Sequence, residues 1–248
     1  MSGTLAGQVA VLVGGTGGIG QACARLLAAE GAQVVLTHHR NPAAAEALTA
    51  ALPGDGHMTL PADLRDSGTL TALAAAVAER CGRADMLVNL AGYTRAIPHA
   101  DLAALDDALI DDLMAVNYRG VFATIRAFAP LLAEGDGGLV VNVSSIAAQN
   151  GVGSNIAYCA AKAAIEVTGR ALARALAPQV RVMTVSPGVV DTGFVPGRDA
   201  AFNERVAPSI PLGRVASAED VARAIAACAT HLTYSTGSVV TVDGGRAL

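Results

Sequence analysis

The sequence predicts a single α/β domain, a doubly wound parallel sheet of about seven strands with helices on both faces. Three observations lead there. Short runs rich in β-branched residues alternate with Ala/Leu-rich helical stretches along all 248 residues. Those runs are apolar on both faces, as in a sheet covered on both sides and unlike a half-exposed antiparallel one. Hydrophobic residues make up 52% of the chain and charged residues 15%, a composition that builds a large core and argues against disorder. No linker, repeat or low-complexity segment interrupts the pattern, so residues 1–248 read as one domain with right-handed crossovers.

Taken in order, "VAVLVGG" (9–15) is a buried strand, and "IGQACARLLAAEG" (19–31) a helix stopped by Gly31. "AQVVLTHH" (32–39) is the second strand and "HMTLPADL" (57–64) the third. A helix over 67–81 ends at Gly82, and "DMLVNLAG" (85–92) is a strand. A long helical region follows over 103–134, with Pro130 expected to bend or break it near its end. Strand "GLVVNVSS" (138–145), a helix over 154–177, strand "VRVMTVSP" (180–187), a helix over 217–230 and strand "SVVTVDGG" (238–245) complete the series. The one long irregular segment, 188–213, is rich in Gly and Pro; at the carboxyl ends of strands such a loop usually covers a ligand.

Net charge is -4 with no run of like charges, so the basic footprint of a nucleic-acid binder is missing. No apolar run is long enough to span a bilayer, and "MSGTLAGQVA" does not read as a signal peptide, which sets a cytoplasmic expectation. The four cysteines (23, 81, 159, 228) and the five histidines show no ligand spacing. Reduced thiols and no metal site are expected.

"GGTGGIG" (14–20) places five glycines in seven residues between the first strand and the first helix. Glycine there permits a tight turn and close backbone approach to a ligand, and the helix start would turn free N–H groups toward a pyrophosphate. The spacing Gly14-x-x-x-Gly18-x-Gly20 departs from GxGxxG, and no GK[ST] follows, so this is no phosphate loop of an NTPase. The second strand ends "THHRN" (37–41), where an NAD site usually carries an acid for the ribose hydroxyls. Here His39 and Arg40 stand instead, and a guanidinium suits a 2′-phosphate. NADP(H) is therefore the expected cofactor, with NAD(H) as the alternative.

Lys162 is the only lysine; the other 16 of 17 basic residues are arginine. It lies four residues after Tyr158 on a helix, hence on the same face. A free phenol titrates near pH ~10, too high for easy proton exchange at neutrality, and an adjacent ammonium would pull it down. A compact ammonium also fits where a planar guanidinium does not. Catalysis is the reading that explains a lysine held at one position.

Together these motifs resemble the short-chain dehydrogenase/reductase family over essentially the whole chain. The resemblance implies a Rossmann fold, a carbonyl or alcohol substrate and a nicotinamide cofactor. It implies a catalytic set of Asn117 in "VNYRG", Ser145 in "NVSSIAA", Tyr158 and Lys162; Ser145 is preferred to Ser144 because it lies thirteen residues before Tyr158. Cofactor contacts are implied for Gly14, Thr16, Gly17, Gly18, Ile19 and Gly20, for His39 and Arg40, and for Asp63 and Leu64 in "ADL". Asn89, Ala91 and Gly92 of "NLAG" join them, with Leu90 where the family has a second Asn. So do Pro187, Gly188, Val190 and Thr192 of "SPGVVDT", besides Tyr158 and Lys162 themselves. The substrate pocket is expected from Ser145, Ile146, Asn150, Tyr158, Val189, Phe194 and Phe202, with Tyr93 and Arg95 near its rim. By the same resemblance Tyr158 protonates the carbonyl oxygen, Ser145 polarises it, and Lys162 lowers the phenol pKa and holds the ribose. Asn117 joins a water-linked proton relay. "PLGRVASAEDVA" (211–222) resembles the 3-oxoacyl-acyl-carrier-protein reductase branch, and the family implies a homotetramer or homodimer. The alternatives are an NAD-dependent alcohol or sugar-alcohol dehydrogenase and, more remotely, a non-catalytic dinucleotide sensor.

Overall fold

The computed structural model describes residues 3–248. Seven strands form one wholly parallel sheet: β1 (Val9–Val13), β2 (Gln33–His38), β3 (Met58–Pro61), β4 (Met86–Asn89), β5 (Gly138–Val143), β6 (Val180–Pro187) and β7 (Val239–Val242). Their order is β3-β2-β1-β4-β5-β6-β7. The chain winds outward from β1 to β3, then returns to β4 on the other side of β1. That reversal opens a crevice beyond the carboxyl ends of β1 and β4, where open α/β sheets bind ligands.

Alternation along each strand feeds two cores. Leu12, Leu36, Met86 and Met183 pack with α1 (Gly18–Ala29) and α9 (Ala218–Thr230) on one face. On the other, Val11, Leu87, Val140 and Val182 meet α3 (Ser67–Cys81), α5 (Val121–Ala133) and α7 (Ile156–Ala175). Caps fix where the helices begin. Asp66 accepts from the Gly68 N–H at the start of α3, and Gly82, at φ 71°, ends that helix in the left-handed conformation. Ser217 and Asp220 form a capping box at α9.

The structure adds elements and moves some boundaries. Pro42–Ala50 is a helix (α2) capped by Asn41, and Ala147–Asn150 is one turn (α6) between β5 and α7. The irregular 188–213 segment holds α8 (Ala200–Val206) and a 3-10 turn (Ala207–Ser209). The long helical region starts at Asp107, as α4 (Asp107–Met114), and is interrupted by a π-helical segment, Ala115–Gly120. Pro130 does not break α5, which runs on to Ala133: the proline removes one intrahelical bond, its own N–H to the Arg126 carbonyl.

Candidate active site

The glycine turn sits at the carboxyl end of β1. Gly14 takes φ 88°, and a Cβ there would lie 2.6 Å from Ala91 Cα, so only glycine lets β1 and β4 approach this closely. A Cβ on Gly18 would strike the Thr192 side chain at 2.6 Å. The Gly14 N–H donates to Thr37 Oγ1 at 3.0 Å, tying the turn to β2. Helices α3, α7 and α9 begin on side-chain caps; α1 begins on Gly17 with none, and has no acid in its first turn. Its N–H groups at Gly18, Ile19 and Gly20 face the crevice without an intrahelical acceptor. An uncapped, positively polarised helix end over a cradle of glycines fits a dinucleotide pyrophosphate. Thr16 contributes through its carbonyl, which accepts from Gln21 Nε2.

At the end of β2, His39 and Arg40 are exposed. His39 Nε2 lies 3.3 Å from the Asp63 carboxylate, which also accepts from the Arg65 N–H. Arg40 has no acid within ion-pair distance among the described residues. Leu64 is buried beneath Gly120. Asn89 is buried too, its amide donating to Asn142 Oδ1 at 2.9 Å across β4 and β5, so its side chain serves the sheet. Gly92 packs on Asn117: a Cβ there would lie 2.5 Å from Asn117 Oδ1.

Ser145, Tyr158 and Lys162 meet in one cleft of about 200 Å³ at the carboxyl ends of β5 and β6. Ile19, Pro187, Gly188, Val190 and Thr192 line it, as do Ile146, Asn150, Val189, Phe194 and Phe202. The two candidate serines are separated by their partners. Ser144 Oγ donates to Glu166 Oε1 at 3.0 Å and reaches the Lys162 carbonyl at 3.2 Å, so it is committed to α7. Ser145 Oγ accepts from the Ala147 N–H at 3.2 Å, which leaves its own proton to give.

Burial dominates the electrostatics. It pushes the Tyr158 phenol well above its ordinary value, and the groups that pull back are Ser145 and the Arg198 guanidinium. It also lowers Lys162 to about 8. Lys162 Nζ lies 5.7 Å from the Tyr158 ring centroid and donates to the Val143 carbonyl at 2.8 Å. The Lys162 ammonium thus faces the Tyr158 ring, and the Arg198 guanidinium adds a second positive charge near the phenol. Asn117 is fully buried in the π segment. Its amide donates to the Tyr93 and Leu113 carbonyls, both at 3.0 Å, and its Oδ1 accepts from the Tyr93 N–H at 3.1 Å. A widened helical turn that frees backbone groups often marks a functional site.

Two expected rim residues are elsewhere. The Tyr93 hydroxyl bonds the Asp112 carboxylate beneath Arg65, which with burial pushes the phenol up to about 12. Arg95 is exposed and offers only its carbonyl, to Asn155. Neither lines the cleft. Three functional candidates escaped the sequence reading. Asn155 caps α7 by accepting from the Tyr158 N–H at 2.7 Å, and its position before an apolar helical run is a readable cap signal. Arg198 and Arg246 line the cleft from segments far apart in the chain, and no spacing could have joined them.

The comparisons with known proteins agree with this geometry. Residues 14–247 match the family model described as Enoyl-(Acyl carrier protein) reductase. A ketoacyl reductase of the granaticin polyketide synthase of Streptomyces violaceoruber is 40% identical over 242 residues, covering 97% of this chain and 96% of that one. A glucose/ribitol dehydrogenase structure from Brucella melitensis superposes with TM-score 0.92 at 31% identity, covering 99% of both chains. A 3-ketoacyl-(acyl-carrier-protein) reductase from the same organism, complexed with NADH, gives TM-score 0.88 at 30% identity, over 98% of this chain and 100% of that one. With its parallel sheet, glycine turn and Tyr158/Lys162 helix, the chain belongs to the short-chain dehydrogenase/reductase family, oxidoreductases of CH–OH and C=O groups that use a nicotinamide dinucleotide.

Proposed function

We propose that this oxidoreductase uses NADP(H) to reduce a ketone or 3-oxoacyl group to a secondary alcohol. The observation that carries the reading is the convergence of Ser145, Tyr158 and Lys162 in one cleft beside the uncapped start of α1. The turn at Gly14–Gly20 would hold the dinucleotide, which when bound would supply the hydride for the carbonyl carbon. Ser145 donates its hydroxyl proton in a hydrogen bond to the carbonyl oxygen and so fixes the substrate. Tyr158 passes its phenol proton to that oxygen as the new C–H bond forms. Lys162 supplies positive charge beside the phenolate left behind and can donate to the cofactor ribose. Asn117 holds the Tyr93 backbone and the π turn next to Lys162, as a positioning residue for the path that returns the proton. Arg40, free of acids at the end of β2, supports NADP(H) over NAD(H).

The same reading takes the enzyme as a cytoplasmic homotetramer or homodimer acting on a small carbonyl compound. Phe122 on α5 and Ile156 and Val167 on α7 are 37%, 42% and 59% exposed, apolar side chains suited to contact with a second copy. No helix among the described residues is long and apolar enough to cross a membrane.

The test is nicotinamide oxidation followed by absorbance, NADPH and NADH in parallel, across 3-oxoacyl thioesters, simple ketones and keto sugars. Turnover should favour NADPH, and Tyr158→Phe should lower kcat by about 10²–10⁴-fold while still binding cofactor. Arg40→Ala should raise the KM for NADPH about tenfold and leave that for NADH unchanged. A preference for NADH with a harmless Arg40→Ala would assign the enzyme to NAD-dependent alcohol oxidation. Cofactor binding without turnover of any substrate, in either direction, would favour the sensor.

A further inference from the structure

The cleft carries positive charge that the reduction of a simple ketone does not use. Arg198 and Arg246 both line it, opposite Ser145 and Tyr158. Elsewhere the exposed Arg83, Arg65 and Arg214 pair with Asp85, Asp112 and Asp220, and the half-buried Arg181 is satisfied by the Cys228, Leu232 and Ser235 carbonyls. Among the described residues, neither Arg198 nor Arg246 has an acid within ion-pair distance. The carboxylates nearest in sequence are committed to other partners. Asp199 caps α8 by accepting from the Phe202 N–H at 2.9 Å. Asp243 accepts from the Gly245 and Ala247 N–H groups at 2.9 and 2.7 Å, and Asp191 accepts from Asn203 Nδ2.

Both guanidinium groups are held in place. Arg198 stacks 4.7 Å over the centroid of Phe202, and Arg246 donates to Ser209 Oγ at 2.7 Å. They also feel one another: burial, then the neighbouring Arg246 charge, lowers Arg198. Two like charges partly withdrawn from water are unfavourable unless an anion joins them.

We propose that Arg198 and Arg246 bind an oxyanion carried by the substrate itself, making the natural substrate a ketone with a carboxylate or phosphate a short chain away from its carbonyl. The inference rests on the carbonyl-reductase reading above and names its substrate class. Arg198 and Arg246 line the same cleft of about 200 Å³ as Tyr158, so an anion they hold lies only a short chain away from the reacting oxygen. A short keto acid or keto phosphate spans that gap. The phosphate of a phosphopantetheine arm sits at the far end of a long linker and does not. Ile146, Val152 and Phe194 supply the apolar wall between the two ends.

The test uses two matched pairs, levulinate with methyl levulinate and dihydroxyacetone phosphate with dihydroxyacetone. Binding to the dinucleotide-saturated Tyr158→Phe protein is measured by titration calorimetry, and turnover is measured in the parent enzyme. At least one anion should bind about 10- to 100-fold more tightly than its neutral partner, and the preferred pair identifies carboxylate or phosphate. Arg198→Met and Arg246→Met should each erase most of the preference for the anion over its neutral partner, read in KM, with the KM for dinucleotide unchanged. Equal binding within both pairs, or equal loss of anion and neutral partner in the variants, overturns the oxyanion site. A rise in dinucleotide KM in Arg198→Met would assign the guanidinium to the cofactor pyrophosphate and likewise overturn it. Reduction without anion preference removes the site and leaves the reductase standing. Anion preference in binding without any reduction does the reverse.

Discussion

Lys162 is kept charged at a cost. Its side chain is 5% exposed, and burial lowers it from 10.5 to about 8. Between those values the unfolded chain holds more protons than the folded one, so stability rises with pH across that window. The penalty is full below pH 8, where it amounts to about 3 kcal/mol, and gone above 10.5. Lys162→Met should therefore unfold at higher urea than the parent at pH 7, by an amount that shrinks toward pH 10, while losing activity. Parallel pH profiles for the two proteins would show that the ammonium is not desolvated. Lys162→Arg should also lose most activity, because a planar fork cannot occupy the place of a single nitrogen bonded to the Val143 carbonyl. The parent's own activity should fall above pH 8 as the ammonium is lost, read as the alkaline limb of kcat/KM.

At the scale of elements, Asn155 couples folding to geometry. Its Oδ1 holds the Tyr158 N–H, and its Nδ2 donates to the Arg95 carbonyl at 2.8 Å, so one side chain starts α7 and staples it to the 93–97 segment. Asn155→Ala should cost about 1 kcal/mol in urea unfolding. A drop in kcat greater than that loss explains, with KM for dinucleotide unchanged, would show that the cap aims the phenol; a stability loss alone would make it merely structural. Such caps mark how far the elements could be read. Helix α3 lies where Gly82 and the 67–81 periodicity put it, and β6 spans Val180–Pro187 as its apolar run predicts. Helix α8 hid inside a segment whose Gly and Pro content reads as loop, and α2 lacked a clear apolar stripe, burying only Ala45 and Leu48. The π turn has no signature, because "AVNYRG" is equally compatible with an α-helix. Ser145, Tyr158 and Lys162 were legible from spacing along one chain segment. Arg198 and Arg246 were not, because a lid and a terminal turn meet only in three dimensions.

At the scale of the whole molecule, the exposed Phe122, Ile156 and Val167 lie on α5 and α7, which also pack against the sheet, and α7 carries Tyr158. On the proposed homotetramer or homodimer, Val167→Glu should give a smaller species than the parent in native mass spectrometry, with activity falling as the species shrinks. An unchanged mass would move the contact elsewhere. On this face β4 is joined to β5 through the run from α4 across the π turn into α5, and that run sets a rule of heredity as much as of chemistry. A helix turns by about 100° per residue. A single codon lost from α5 would swing one side of it by that angle, whereas one lost between Ala115 and Gly120 would close the widened turn that takes up the extra residue. Asn117 would leave the Tyr93 backbone in the same stroke. Lineages descending from this gene can exchange letters along α5 far more freely than they can change its length.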